Sequence, residues 1–129
     1  MQEVSIRSRV RTEMIDITAE VQRALEREKS EAGICTVFVP HTTAGVTINE
    51  NADPSVRADL LAALDRAVPL DAGYTHGEGN SAAHVKASLV GSSASVPVEN
   101  GRLCLGTWQG IYFCEFDGPR QRRLWIQTR

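Results

Sequence analysis

Apolar residues recur along the chain with two periods, and these divide it into strands and helices. Val4, Ile6 and Val10 alternate with Arg7, Arg9 and Arg11, which predicts a half-exposed strand with a basic solvent face. Ile17, Val21 and Leu25 share a helical face, with Thr18 placed as a cap, Glu20 in the first turn and Gly33 as a stop. A helix is predicted from about Ala19 to Glu31. The largely apolar run Ile34 to Val39 reads as a buried strand, after which the chain turns at Gly45 and continues extended through Val46-Thr47-Ile48. Asp53-Pro54, a cap followed by proline at the first helical position, opens a second helix reaching about Ala67, with Val56, Leu60 and Leu64 on one stripe. Pro69 to Gly79 is rich in turn formers, and a short third helix begins near Ser81 and stops at Gly91. The rest is β. Ala94 to Val98 and Arg102 to Leu105 flank Asn100-Gly101, a strong hairpin signal, and Trp108 to Phe116 and Arg123 to Gln127 flank a second turn at Asp117-Gly118-Pro119-Arg120.

No internal repeat, linker or low-complexity segment interrupts these elements. The 129 residues form one domain, 1–129, of the α+β class. A chain of this length buries about two thirds of its unfolded surface and folds without disulfides. Cys35, Cys104 and Cys114 are odd in number, lie in apolar runs and lack C-x-x-C spacing, so they read as reduced packing residues suited to a cytoplasmic protein. No run approaches the ~20 apolar residues of a membrane span, and the N-terminal stretch has no signal-peptide core. With 14 basic and 16 acidic residues the net charge is −2, which excludes a generic nucleic-acid binder.

Candidate chemistry concentrates in three stretches. The first, Pro40 to Pro54, sets His41 and several hydroxyls, carboxamides and carboxylates between a strand and a helix start. The second, Tyr74 to His84, holds the other two histidines, His76 and His84. Three imidazoles with carboxylates nearby are what a Lewis-acid metal site needs, although their spacing also fits hydrogen-bonded caps and core histidines. In the same stretch Gly77 and Gly79 permit close backbone approach, and the helix beginning near Ser81 presents free N–H groups, a combination that suits an anion as well as an ordinary capped loop. The third runs from Gly106 to Asp117. There Trp108 and Gln109 fit a hairpin as well as a ligand contact, and Glu115 shares a strand face with Ile111 and Phe113. A carboxylate on an apolar face needs a partner, here an arginine such as Arg123 or Arg102, or else a site to point into.

The ordered set Val39-Pro40-His41-Thr42-Thr43, Asn49-Glu50-Asn51-Ala52-Asp53, Tyr74-x-His76, Ala83-His84-Val85-Lys86-Ala87-Ser88-Leu89 and Gly106-Thr107-Trp108-Gln109 resembles the YjbQ family, labelled secondary thiamine-phosphate synthase, over almost the whole chain. The resemblance implies a mixed, largely antiparallel sheet curved into a half-barrel with about three helices, assembled as a homotrimer. It also implies a transferase that joins a pyrimidine-methyl pyrophosphate to a thiazole phosphate. On these grounds His41, His76 and His84 are the expected ligands of a divalent metal, zinc or magnesium. His41, His84 and Glu50 are the expected catalytic groups, with Glu50 as metal ligand or general base and Asp53 as helix cap. Thr42, Thr43, Asn49, Gly79, Asn80, Ser81 and Gln109 are expected to hold the phosphorylated substrate. A binding protein without turnover, or a metal-assisted phosphate-ester hydrolase, would use the same residues.

Overall fold

The computed structural model describes residues 1–129. The elements follow in the order β1 (Gln2–Arg7), β2 (Glu13–Asp16), α1 (Thr18–Glu28), β3 (Ala32–Phe38), β4 (Ala44–Glu50), α2 (Pro54–Ala67), α3 (Ser81–Val90), β5 (Ser93–Glu99), β6 (Arg102–Leu103), β7 (Gln109–Glu115) and β8 (Gln121–Thr128). The strands form a curled five-stranded sheet in the order β1-β8-β3-β5-β6 and a three-stranded sheet in the order β2-β7-β4, and every ladder is antiparallel.

Burial shows how the layers stack. Cys35 and Val37 of β3, Val96 and Val98 of β5, and Leu124 and Ile126 of β8 point to one side, where they meet Val21, Ala24 and Leu25 of α1 and Ile111 and Phe113 of β7 in a single core. The alternate residues of β7, Tyr112 and Cys114, face the other way into a smaller cluster with Met14, Ala83 and Phe116, against which Leu60, Leu61 and Leu64 of α2 pack. β7 is therefore covered on both faces, which is why Ile111-Tyr112-Phe113-Cys114 is continuously apolar. The three-stranded sheet is the middle layer, with the five-stranded sheet on one side and α2 and α3 on the other.

Several expectations hold in detail. α2 has the predicted limits, and the Asp53 carboxylate accepts the Ser55 N–H at 2.9 Å. Its stripe packs only partly, since no residue of α2 is fully buried. Asn100 and Gly101 both take positive φ, 52° and 72°, and close the two-residue hairpin between β5 and β6.

Others need correction. Asp117 to Arg120 does not join a hairpin: β7 pairs with β2 and β4, β8 pairs with β1 and β3, and the segment between them carries the chain from one sheet to the other. It is held by Ser8, the residue after β1, whose N–H donates to the Arg120 carbonyl at 3.1 Å. α1 ends at Glu28 with Lys29 in the left-handed region, and Gly33 lies inside β3 opposite Val98. Thr18 does not cap α1; its hydroxyl donates to Asp16 Oδ1 at 2.6 Å and accepts the Ile111 N–H at 2.9 Å, tying the helix to β7. The chain does not turn at Gly45 but runs extended through it in β4, opposite Cys114 of β7, and the glycine is needed because a Cβ there would stand 2.6 Å from the Gly91 carbonyl oxygen. Cys35 and Cys114 are buried as read, whereas Cys104 is exposed. No helix is long and apolar enough to cross a membrane.

Candidate functional site

The loop from β3 to β4, the segment between β7 and β8, and the start of α3 meet around a cleft of about 490 Å³. None of its eleven lining residues is hydrophobic. Six expected site residues or neighbours line it together: His41, Thr42, Thr43, His76, Asn80 and His84. The remaining walls include Glu78, Asp117, Arg120 and Arg122.

The floor is a buried charged network. The Glu115 side chain has no solvent exposure and that of Arg122 has 4%. Arg122 Nε donates to Glu115 Oε1 at 2.9 Å and Nη2 to Glu115 Oε2 at 2.5 Å. The same Nη2 donates to Thr43 Oγ1 at 2.7 Å, fixing the loop that carries His41. Glu115 also accepts from Ser8 Oγ at 2.6 Å and from the Asp117 N–H at 3.0 Å. Burial pushes the Glu115 carboxyl up, but these bonds from Arg122, Ser8 and Asp117 outweigh it and hold the group below the usual glutamate range. The partner of Glu115 is thus Arg122, not Arg123 or Arg102. Nε and Nη2 of Arg122 are committed to protein acceptors, which leaves Nη1 of this cleft-lining guanidinium as the group for a ligand.

The histidines differ in their surroundings. His41 Nε2 lies 3.1 Å from both the N–H and the carbonyl oxygen of Arg123. Burial, with the nearby Arg122 charge, holds its imidazole below the usual histidine value, so the ring is neutral at pH 7. His76 and His84 stand edge to face with ring centroids 5.4 Å apart. His84 also borders a second cleft containing Tyr74, Ser81 and Val85 and a third containing Ala87 and Ser88, so it stands where three concavities meet.

The expected metal set does not form in this chain. No three His, Cys, Asp or Glu side chains converge as donors for one ion, because His41 turns Nε2 to the Arg123 backbone while His76 and His84 pair with each other.

Five other expected residues fall outside the cleft. β4 carries Asn49 and Glu50 to the end opposite Thr43, about 20 Å away at ~3.3 Å per residue. Asn49 Oδ1 accepts the Glu50 N–H at 2.7 Å. Gln109 faces Glu50 across the ladder, and its Oε1 accepts the Gly106 N–H at 2.8 Å, closing the turn before β7. Ser81 lines the adjoining cleft, and Gly79 takes φ +74° in the loop above without lining the main one. Conversely, sequence reasoning missed Arg122, Arg120 and Asp117. The available signal was strand parity, since Arg122 shares a face with Leu124 and Ile126.

A family model described as UPF0047 protein YjbQ-like matches residues 2–129. UPF0047 protein YugU of Bacillus subtilis is 54% identical over 125 residues, covering 96% of this chain and 95% of that protein. UPF0047 protein MJ1081 of Methanocaldococcus jannaschii is 49% identical, covering 95% and 88%. The crystal structure of a conserved protein of the yjbq/upf0047 family from Clostridium acetobutylicum superposes with a TM-score of 0.98 at 51% identity, covering all of both chains. A YbjQ-like protein of unknown function from Sulfolobus solfataricus gives 0.93 at 30%, covering 97% and 92%.

Proposed function

The chain belongs to the YjbQ-like UPF0047 family, and from that membership and the chemistry of the cleft we propose that it binds a phosphorylated small molecule. The phosphoryl group lies against Arg122 Nη1 and Thr42, and the organic body lies in the adjoining cleft beside Tyr74 and Val85. The observation that carries this reading is Arg122: a guanidinium buried to 4% exposure, oriented by Glu115 and Thr43, with one nitrogen left for an anion. Thr42, exposed beside the fixed Thr43, adds a hydroxyl donor, and Arg120 adds a second cation at the rim.

The reaction we assign to this site is of the thiamine-phosphate synthase type. The C–O bond to pyrophosphate breaks with its electron pair moving to the leaving oxygen, and the thiazole nitrogen supplies the pair for the new C–N bond. Arg122 stabilises the charge gathering on pyrophosphate, and His84, between the two clefts, can protonate it. A second reading, phosphometabolite binding without turnover, is favoured by one observation: the wall holds no apolar residue to keep water from a cationic carbon. The unpaired edge of β2 is a surface a homotrimer would cover, and a cytoplasmic location accompanies the proposal.

Calorimetric titration with inorganic pyrophosphate tests the binding step. Wild type is expected to bind, Arg122→Met combined with Glu115→Gln to lose binding, and Thr42→Ala to weaken it. Unchanged affinity in the double variant would sink the reading. Incubation with both precursors then separates the enzyme from the binder: product in wild type and none in His84→Ala supports transfer, whereas binding without product supports the second reading.

A further inference from the structure

The segment from Pro69 to Gly79 brings His76 and Glu78 to the main cleft and Tyr74 to the adjoining one, yet little ties it to the rest of the chain. Every residue in it is exposed. Its hydrogen bonds and its ion pair stay inside it. Tyr74 Oη donates to the Pro69 carbonyl at 2.6 Å, the Gly79 N–H donates to the His76 carbonyl at 3.3 Å, and His76 Nε2 lies 3.9 Å from Glu78 Oε1. Its contact with α3 is the edge-to-face pair of His76 with His84. Both ends are firm by comparison. Val68 is buried and donates its N–H to the Leu64 carbonyl at 2.8 Å, while Asn80 Nδ2 donates to Asp117 Oδ2 at 2.9 Å just before the buried Ala82 and Ala83. A segment with no buried residue between two fixed ends changes conformation at little cost.

The glycines mark where it can turn. Gly73 and Gly79 take φ of 73° and 74°, and a Cβ at either would meet nothing within 4 Å, so neither is there for close packing. They bracket Tyr74 to Glu78, and rotation about them moves that piece as a unit.

The described conformation is poorly matched to a bound phosphoryl group. Glu78 stands in the wall of the main cleft, where its carboxylate complements Arg120 and Arg122 but repels an anion. The Tyr74 ring is 36% exposed, and the bond that holds it to Pro69 is open to water.

Resting on the phosphoryl site assigned above, we propose that Tyr74 to Glu78 is a lid, open in the described conformation and latched there by the Tyr74–Pro69 bond. On closing, Glu78 leaves the cleft, the His76 imidazole takes its place against the phosphoryl oxygens, and the Tyr74 ring covers the organic body. The closed form gains a donor and sheds a like charge only when the phosphoryl group is bound, which is the differential interaction that ligand-driven closure requires. Closure also supplies the exclusion of water that the polar wall lacks.

Hydrogen exchange of the full chain, followed by mass spectrometry with and without inorganic pyrophosphate at a concentration that saturates the calorimetric titration, tests the lid. Amides of residues 70–79 are expected to exchange roughly tenfold more slowly with pyrophosphate, and those of α2 to be unchanged. Tyr74→Phe keeps the ring and removes the latch, so it is expected to bind pyrophosphate several-fold more tightly than wild type; a tyrosine that only shapes the loop predicts unchanged affinity. Heat of binding without slowed exchange in 70–79 overturns the lid and leaves the phosphoryl site standing, whereas absence of binding overturns both. Unchanged or weaker binding by Tyr74→Phe overturns the latch.

Discussion

Glu115→Gln replaces one carboxylate oxygen by an amide and removes a charge while keeping the volume. The wild-type carboxylate accepts from Arg122, Ser8 and the Asp117 N–H, all around a side chain with no solvent exposure. An amide presents one oxygen to this ring of donors and sets its own NH2 against another. Arg122 then stays buried without its counter-charge, a change that costs about 3–5 kcal/mol. Taking about 3 kcal/mol, because the amide oxygen retains part of the bonding, and an unfolding entropy of ~2.1 cal/mol/K for each of 129 residues, the melting temperature falls by about 11 °C. Adding Arg122→Met removes both charges and is expected to recover most of that loss. Thermal melts followed by circular dichroism at pH 7 measure all three proteins. A fall of less than about 3 °C in Glu115→Gln would refute the claim that the ion pair holds the floor together. The pH dependence has a definite sign. The folded carboxyl lies below its ordinary value of 4.5, so its stabilisation is complete above that pH and is lost as the pH falls through the lowered value. Wild type should therefore lose its advantage over Glu115→Gln on acidification below 4.5.

Gly45→Ala places a Cβ 2.6 Å from the Gly91 oxygen and 3.2 Å from Val90 Cγ1, backbone and packed side chain alike, and is expected to destabilise by about 2 kcal/mol in denaturant titrations. The His41 imidazole is expected to titrate below its ordinary 6.5 by NMR, because burial and Arg122 disfavour its charge; stability from this source is intact above 6.5 and falls as the pH drops through the lowered value. The double variant removes the lowering by Arg122 together with the smaller raising by Glu115, so the His41 value is expected to rise, and a fall would show that Arg122 is not the larger of the two influences. Asp53→Ala is expected to lower the melting temperature modestly by removing the cap on Ser55. Glu50→Gln is expected to leave pyrophosphate affinity unchanged, since β4 carries Glu50 away from Thr43; lost affinity would show that a second copy of the chain completes the cleft.

The elements legible in sequence are those whose limits are written locally. Asp53-Pro54 fixes the start of α2 through bonds within one turn, and Asn100-Gly101 fixes the β5–β6 hairpin through two positive φ angles. Asp117-Gly118-Pro119-Arg120 has the same turn-forming character, yet its flanking strands part. What decides there is distant: the Ser8 N–H donates to the Arg120 carbonyl and the Ser8 hydroxyl oxygen accepts the Arg120 N–H, 112 residues away, and the carboxylate of Glu115 reaches to Arg122 of the other sheet. A turn signal states that the chain changes direction, not which sheet receives it.

The site divides along the same line. His41, Thr42, Thr43, His76, Asn80 and His84 stood out because polar groups crowd the joints between elements, and those joints meet at one cleft. Asn49, Glu50 and Gln109 stood out for the same reason, but an extended strand separates neighbours in sequence by ~3.3 Å per residue, so seven residues of β4 place them at its other end. Arg122 was hidden in Arg120-Gln121-Arg122-Arg123, which reads as a solvated basic run. Strand parity resolves the run: Arg122 lies on the face of Leu124 and Ile126, and Glu115 lies on the face of Ile111 and Phe113, so both charges point into one core from opposing sheets. Two opposite charges on two apolar faces have to meet. Parity alone was therefore enough to choose Arg122 over Arg123 as the partner of Glu115, and with it the group that faces the cleft.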